Sequence, residues 1–247
     1  MRAALRIAAL AGWLMLCLPC HLIASLAGRS RWPTRFLFGV ARICGAKVRT
    51  HGRLSTRHAL LVANHRSWLD IPVLAGATGC AFISKVEMGS HPVLKWLVDM
   101  NRTVYVDRSD SRSLPGQVER VRSALSGDQP LALFPEATVA SGPNLLPFRP
   151  SLFTAVVPPP PGCAVHPVAI AYGPDSPDLG WADGETGIGN ALRILGHKGS
   201  FAVNVTILPP LDPTLDRKAM ARSAHDAIAN SLAPSGIGPA PLYAVGR

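Results

Sequence analysis

The run "LLVANHRSWLDIPVLAG" (residues 60–76) places Asn64, His65 and Asp70 directly after a short apolar stretch. A histidine followed closely by a carboxylate suits acid–base chemistry. An aspartate bonded to one imidazole nitrogen fixes the tautomer and raises the basicity of the other. Positions i and i+5 on one helix lie about 140° apart, so the pair cannot meet if both sit inside a helix. It can meet if His65 precedes the helix and Asp70 lies in its first turns. Ser67 as the N-cap of a helix over 67–76 would arrange that. By spacing alone an alternative stands: His65 caps a turn and Asp70 sits on a solvated face. No G-x-S-x-G elbow supplies a nucleophile from the protein. A base without its own nucleophile points to direct attack by a substrate hydroxyl.

Alternating short strands and helices must position these residues. "ALLVA" (59–63) reads as a buried strand, so His65 lies at the carboxyl end of a strand, where α/β proteins build their sites. Strands are predicted over 80–84, 103–107, 130–135, 163–172 and 201–208. Helices are predicted over 91–100 (Pro92 in its first turn), 116–127 and 214–232. Residues 136–150 and 173–187 are rich in Gly, Pro and Ser and read as irregular, and "PPPPG" (158–162) as a rigid turn. The pattern predicts an α/β domain over 47–247, a mixed, mostly parallel sheet flanked by helices. There is no internal repeat, no G-x-G-x-x-G and no Walker A loop, so a nucleotide fold has no support from those fingerprints.

The 247-residue chain carries a formal net charge of +10, which favours anionic partners. Sparse aromatic residues and the lack of a long Lys/Arg cluster rank nucleic acid below membrane. Asp70 is the first acidic residue. Residues 7–28 are uncharged and apolar and would span about 33 Å as a helix. Pro19 and His21 weaken a spanning reading. Residues 32–46 follow with Phe36, Val40 and Ile43 at helical spacing. Residues 1–46 are thus expected to form a membrane-associated helical hairpin, its arginines facing anionic head groups. The competing reading is a signal peptide cleaved after Ser25-Leu26-Ala27. The five cysteines are irregularly spaced. The C-x-x-C at Cys17 and Cys20 lacks the partners a zinc or redox site needs, so the cysteines are expected to be small apolar side chains and no metal site is expected.

Four blocks in order resemble the PlsC-type glycerolipid acyltransferases. "NHRSWLD" (64–70) resembles their N-H-x4-D motif, and "FISKVEMGSHPVLKWLVDMNRTVYVDR" (82–108) their second block. "LFPEATVASGPNLLPFRPSLF" (133–153) is similar to F-P-E-G-T followed by L-P-F-[RK], and "VHPVAI" (165–170) to V-x-P-V. The resemblance implies acyl transfer from a thioester, acyl-CoA or acyl carrier protein, to a lysophospholipid hydroxyl, with no further cofactor. It makes His65 the base and Asp70 its orienting, charge-compensating partner. It places Asn64, Lys85, Arg108, Glu136, Thr138 and Arg149 around the substrate. Arg108 and Lys85 would meet an acceptor phosphate, which a guanidinium matches bidentately. Glu136 and Thr138 would shape the acceptor site, and backbone N–H groups of that loop would serve the oxyanion.

Two departures stand out: Ala137 where the family has Gly, and Val139 where many members have Arg. Arg149 is the replacement cation the sequence offers. Weaker phosphate recognition leaves room for another acceptor. The best specific reading is 1-acylglycerol-3-phosphate to phosphatidic acid. The alternatives are a lyso-ornithine lipid acceptor and a non-catalytic lipid-binding protein. The resemblance and the hairpin imply a cell inner membrane location with the catalytic domain on the cytoplasmic face. His166 reads as a core or edge histidine. His91, Trp96 and Met100 read as helix packing, Arg120 and Arg122 as a solvated face, and Asp183 and Glu185 near Trp181 as a loop.

Overall fold

The computed structural model describes residues 1–28, 30–85, 96, 99–106, 114–136, 145–154, 156–176, 178–180 and 185–233. Its centre is β2 (Ala59–Ala63), buried at every position. Alternate side chains of β2 point to opposite faces. Ala59, Leu61 and Ala63 enter one core with Leu69, Val73, Leu74 and Ile194, whereas Leu60 and Val62 enter the other with Val121, Phe153, Met220 and Ile228. A strand buried on both faces needs an unbroken apolar run, and "ALLVA" is one.

The strands are β1 (Ala46–His51), β2, β3 (Ala81–Lys85), β4 (Val104–Val106), β5 (Leu131–Leu133), β6 (Ala164–Tyr172) and β7 (Phe201–Ile207). They form one sheet in the order β1-β7-β6-β2-β5-β3-β4. β6 and β7 pair antiparallel, while the other neighbours run parallel. Both neighbours of β2 therefore end at the same edge as β2 does. That edge receives His65 from β2, Phe134 and Glu136 after β5, and Tyr172 at the end of β6.

The helices are α1 (Arg2–Leu26), α2 (Trp32–Ile43), α3 (Asp70–Thr78), α4 (Leu114–Leu125), α5 (Gly187–Gly196) and α6 (Arg217–Leu232). The first two form the expected hairpin. Trp13 donates from its indole N–H to the Phe36 carbonyl at 3.1 Å, and His21 bonds Ser30 near the turn. Pro19 lies within a continuous α1. The hairpin is not set apart from the domain by a gap in packing. Ala41 and Cys44 are fully buried in the same core as Leu61 and Ala75. Arg6 reaches the carboxyl end of α5, donating to the carbonyls of Leu195 (3.1 Å) and Gly199 (2.9 Å), where a cation complements the helix dipole.

Two elements depart from expectation. β1 lies within no predicted strand because Lys47 and Arg49 alternate outward on an edge strand that buries little besides Ala46. α5 contains three glycines at positions where helix propensity is poor. Tertiary contacts hold it: Thr186 caps Gly189, Asn190 is buried against the Gly180 carbonyl, and Arg193 pairs with Glu185 at 2.8 Å. Glu185 is thus a structural ion-pair partner, and Asp183 lies outside the described residues. Most of the helix predicted over 91–100 lies outside them as well, though Trp96 and residues 99–100 are helical.

Candidate active site

β2 ends at Ala63, and Asn64 extends its pairing with β6 through a side chain. The Asn64 amide nitrogen donates to the Ile170 carbonyl (3.0 Å), and its oxygen accepts the Ile170 N–H (2.7 Å). Asn64 is 1 % exposed. Both ends of its amide are occupied by the scaffold, and they fix the strand end.

The chain then turns, and α3 begins at Asp70. The predicted Ser67 cap is not formed: α3 starts three residues later, and the buried Ser67 hydroxyl accepts from the Leu69 N–H. Asp70 organises this turn itself. Its Oδ2 accepts the backbone N–H groups of Arg66 (2.6 Å) and Ser67 (2.8 Å) and faces His65 Nδ1 at 3.0 Å. Its Oδ1 accepts the Tyr172 hydroxyl at 2.5 Å. Asp70 is fully buried, and four donors converge on its carboxylate. The predicted His65–Asp70 meeting is therefore present, with His65 outside the helix and Asp70 at its first position.

The aspartate sets the tautomer. Nδ1 carries the proton that Oδ2 accepts, which leaves the Nε2 lone pair as the basic site. No described residue bonds Nε2. The ring is stacked on Phe134 (centroids 4.2 Å apart, planes 17° apart), and Phe134 stacks in turn on Phe82. The imidazole side chain is 15 % exposed, enough for one edge to meet a reactant.

Glu136 is also buried. Its Oε1 accepts the His65 N–H (2.7 Å) and its Oε2 the Leu146 N–H (3.0 Å). Burial pushes its carboxyl pKa up, opposed by these two bonds. It ties the histidine turn to the segment that carries Arg149, whose own N–H donates to the Pro135 carbonyl. Arg149 is exposed. Lys85 ends β3, and Arg108, Ala137, Thr138 and Val139 lie outside the described residues. Both Glu136 oxygens face donors, so Glu136→Gln must turn its NH2 toward one of them. The variant should lose about 1–3 kcal/mol of stability in denaturant titration.

Sequence reasoning missed two residues here. Tyr172 lies far from the motif in sequence. Only β2–β6 pairing brings it to Asp70. Burial and the adjacent carboxylate push its hydroxyl well above the usual tyrosine range, so it stays a donor. Tyr172→Phe removes one donor and concentrates charge on Asp70. The imidazolium is then favoured, and the acidic limb of the pH–rate profile should move to higher pH with turnover reduced several-fold. An unmoved limb would exclude Tyr172 from positioning the pair. Arg66, the second, has a buried Nε without a partner among the described residues, and its backbone N–H is one of the donors on Asp70 Oδ2.

The remaining histidine expectation holds. His166 is buried between the Leu208 carbonyl (2.8 Å) and Ser55 (2.9 Å), near the amino end of β6. The cysteines are unpaired thiols, four of them buried. Burial pushes Cys44 to about 11 and Cys80 to about 12, so neither supplies a thiolate. Among the described residues no cluster of metal-ligating side chains occurs.

The fold and site are those of a mostly parallel sheet with a His–Asp pair at its carboxyl edge and, among the described residues, no side chain bonded to His65 Nε2. The chain belongs to the Acyltransferase family, whose sequence profile matches residues 46–171. A lyso-ornithine lipid O-acyltransferase from Pseudomonas aeruginosa is 34 % identical over 201 residues, covering 76 % of this chain and 74 % of the relative. One from Brucella abortus is 32 % identical over 81 % of each chain. A 1-acyl-sn-glycerol-3-phosphate acyltransferase from Neisseria gonorrhoeae is 36 % identical over 49 % of this chain and 48 % of its own. The crystal structure of the 1-acyl-sn-glycerophosphate (LPA) acyltransferase PlsC from Thermotoga maritima shares the fold. It has a TM-score of 0.59 and 19 % identity, covering 94 % of this chain and 96 % of the other.

Proposed function

We propose that this acyltransferase esterifies the free hydroxyl of a lysolipid with an acyl group from acyl-CoA or acyl carrier protein. One observation carries the reading: His65 has Nδ1 held by Asp70, and Nε2 has no hydrogen-bond partner among the described residues. His65 Nε2 takes the proton from the acceptor hydroxyl as that oxygen attacks the thioester carbonyl. A tetrahedral oxyanion forms, then collapses and expels the thiolate. The imidazolium returns its proton to that leaving sulfur. The buried Asp70 carboxylate compensates the charge on the ring while it holds the proton.

Lyso-ornithine lipid is the first acceptor we propose and 1-acylglycerol-3-phosphate the second. The relatives aligned over three quarters or more of the chain bear the first name, whereas the gonococcal 1-acyl-sn-glycerol-3-phosphate acyltransferase aligns over 49 % of it. Val139 in place of the family's arginine agrees with an acceptor that carries no phosphate. The second acceptor is favoured by cations: Arg66 at the site, with Lys85, Arg108 and Arg149 assigned by resemblance. Radiolabelled acyl-CoA with each lysolipid, followed by product identification, decides between them. If phosphate is the recognised group, Arg108→Ala raises KM for phosphate-bearing acceptors more than for neutral ones. Equal losses on both would remove that role. No labelled ester from any lysolipid, with acyl-CoA and with acyl carrier protein as donor, would overturn the activity itself.

We further propose that the hairpin sits in one leaflet of the inner membrane and holds the domain on its cytoplasmic face. α1 is about 37 Å long by its 25 residues, and it is the one described helix long and apolar enough to cross a bilayer. Its start is nevertheless tied to α5 through Arg6, and α2 returns the chain within about 18 Å, short of a 30 Å hydrocarbon core. Leu22, Ile23 and Leu26 near the tip are more than half exposed. Burial of such side chains is worth about 1.5–3 kcal/mol each. High salt should therefore leave the protein on membranes, and detergent should release it. Release by salt alone would reduce the attachment to surface charge.

A further inference from the structure

A groove of about 650 Å³ runs between α1, α2 and the carboxyl-terminal half of α3. Trp13, Trp32, Phe38 and Ala75 are among its lining. Two glycines set the walls. A Cβ on Gly39 would lie 2.0 Å from the Trp13 indole nitrogen, and one on Gly76 would lie 2.5 Å from the Phe38 ring. Trp13 and Phe38 therefore pack directly against helix backbone at these two glycines. Arg35 and Arg42 also line the groove, and both are exposed. The Arg35 guanidinium sits 4.9 Å from the Trp32 centroid and that of Arg42 5.8 Å from the Phe38 centroid. Seven residues apart, they share one face of α2, about 10 Å from each other along its axis. No carboxylate precedes Asp70, so no acidic neighbour in this part of the sequence competes for either guanidinium. The volume is in the range of small-molecule sites. Asn64, His65, Asp70 and Glu136 do not line it. It lies instead along Ala75, Gly76 and Gly79, toward the end of α3 opposite Asp70.

An apolar trough with two aromatic-backed guanidiniums at its rim matches a molecule that joins an acyl chain to a phosphate. We propose that this groove binds one anionic glycerophospholipid of the surrounding bilayer, as a site separate from His65 and Asp70. Arg35 and Arg42 hold the phosphate, and an acyl chain lies along Trp13 and Phe38. Free phosphate would leave the aromatic wall exposed, so the occupant is a lipid. The proposal rests on the reading that the hairpin enters a membrane.

The test uses the full chain bound to phosphatidylcholine vesicles. These contain a small fraction of either phosphatidylglycerol or phosphatidylcholine with brominated acyl chains, which quench nearby tryptophan fluorescence. Bound protein is measured by co-sedimentation, and quenching is compared at equal bound protein. Brominated phosphatidylglycerol should quench at a several-fold lower mole fraction than brominated phosphatidylcholine. R35Q/R42Q should abolish that preference. R53Q/R57Q removes the same charge from the exposed loop after β1 and should keep the preference. Equal quenching by the two lipids in the wild type overturns the proposal. Equal loss in the two double variants also overturns it, by assigning the preference to diffuse surface charge. Wild-type protein that co-sediments with no vesicle overturns the membrane reading and the groove together. Co-sedimentation without lipid preference overturns the groove alone.

Discussion

His65→Ala should lower turnover by about 10²–10⁴-fold, the range for a positioned acid–base group, while the fold is retained. The loss should fall on kcat, because the imidazole moves the proton rather than gripping the acceptor. Stability should change little. The ring is partly exposed, and Asp70 keeps three other donors: the Arg66 and Ser67 N–H groups and the Tyr172 hydroxyl. Circular dichroism and thermal unfolding establish that the variant is folded, and initial rates with saturating acceptor then report the chemical step. A folded His65→Ala with near wild-type turnover would exclude His65 as the base.

Substitutions at Asp70 should separate charge from architecture. In Asp70→Asn, the amide oxygen can take the place of Oδ2 and keep its three donors. The new NH2 then faces Tyr172, whose hydroxyl can rotate to accept. The geometry survives, but the negative charge beside the imidazolium is lost. Turnover should fall by about 10²-fold or more with stability nearly unchanged. Asp70→Ala should behave differently. It strands the Arg66 and Ser67 backbone N–H groups and the Tyr172 hydroxyl, at about 1–3 kcal/mol each, so a combined loss of about 3 kcal/mol is expected in denaturant titration. Wild-type stability in Asp70→Ala would contradict the four-donor arrangement. Wild-type turnover in Asp70→Asn would show that the carboxylate charge plays no part.

The glutamate adds a pH dependence with a definite sign. Glu136 has its pKa raised by burial, so the folded state holds its proton more tightly than the unfolded chain does. Its contribution to stability is therefore fully present below the unfolded carboxylate range, and it is lost as pH rises through the raised folded value. Above that window the ionised group persists because the His65 and Leu146 N–H groups bond it.

The His65–Asp70 contact was legible because it is local. His65 and Asp70 are five residues apart, and the apolar run before them is a strand that needs burial on both faces. The same reasoning located most of the sheet, since buried strands announce themselves by composition. Ser67 was misassigned because a capping residue and a buried turn serine look alike in sequence. Only the fold shows that Asp70 itself bonds the turn. The family resemblance places Asn64 and Glu136 around the substrate. Their actual partners are backbone groups of β6 and of residue 146, which come near only when strands pair. β1 and α5 escaped for a related reason. An edge strand hides its alternation behind charges, and a glycine-rich helix is held by Arg6, Thr186 and Arg193 against its own propensity. The sequence by itself determined which chemistry is available, since that depends on residue type at short spacing. The tertiary structure alone decided what orients that chemistry. Tyr172 reaches Asp70 across a hundred residues of chain because β6 runs parallel beside β2, and hydrogen-bond register leaves no trace in local sequence.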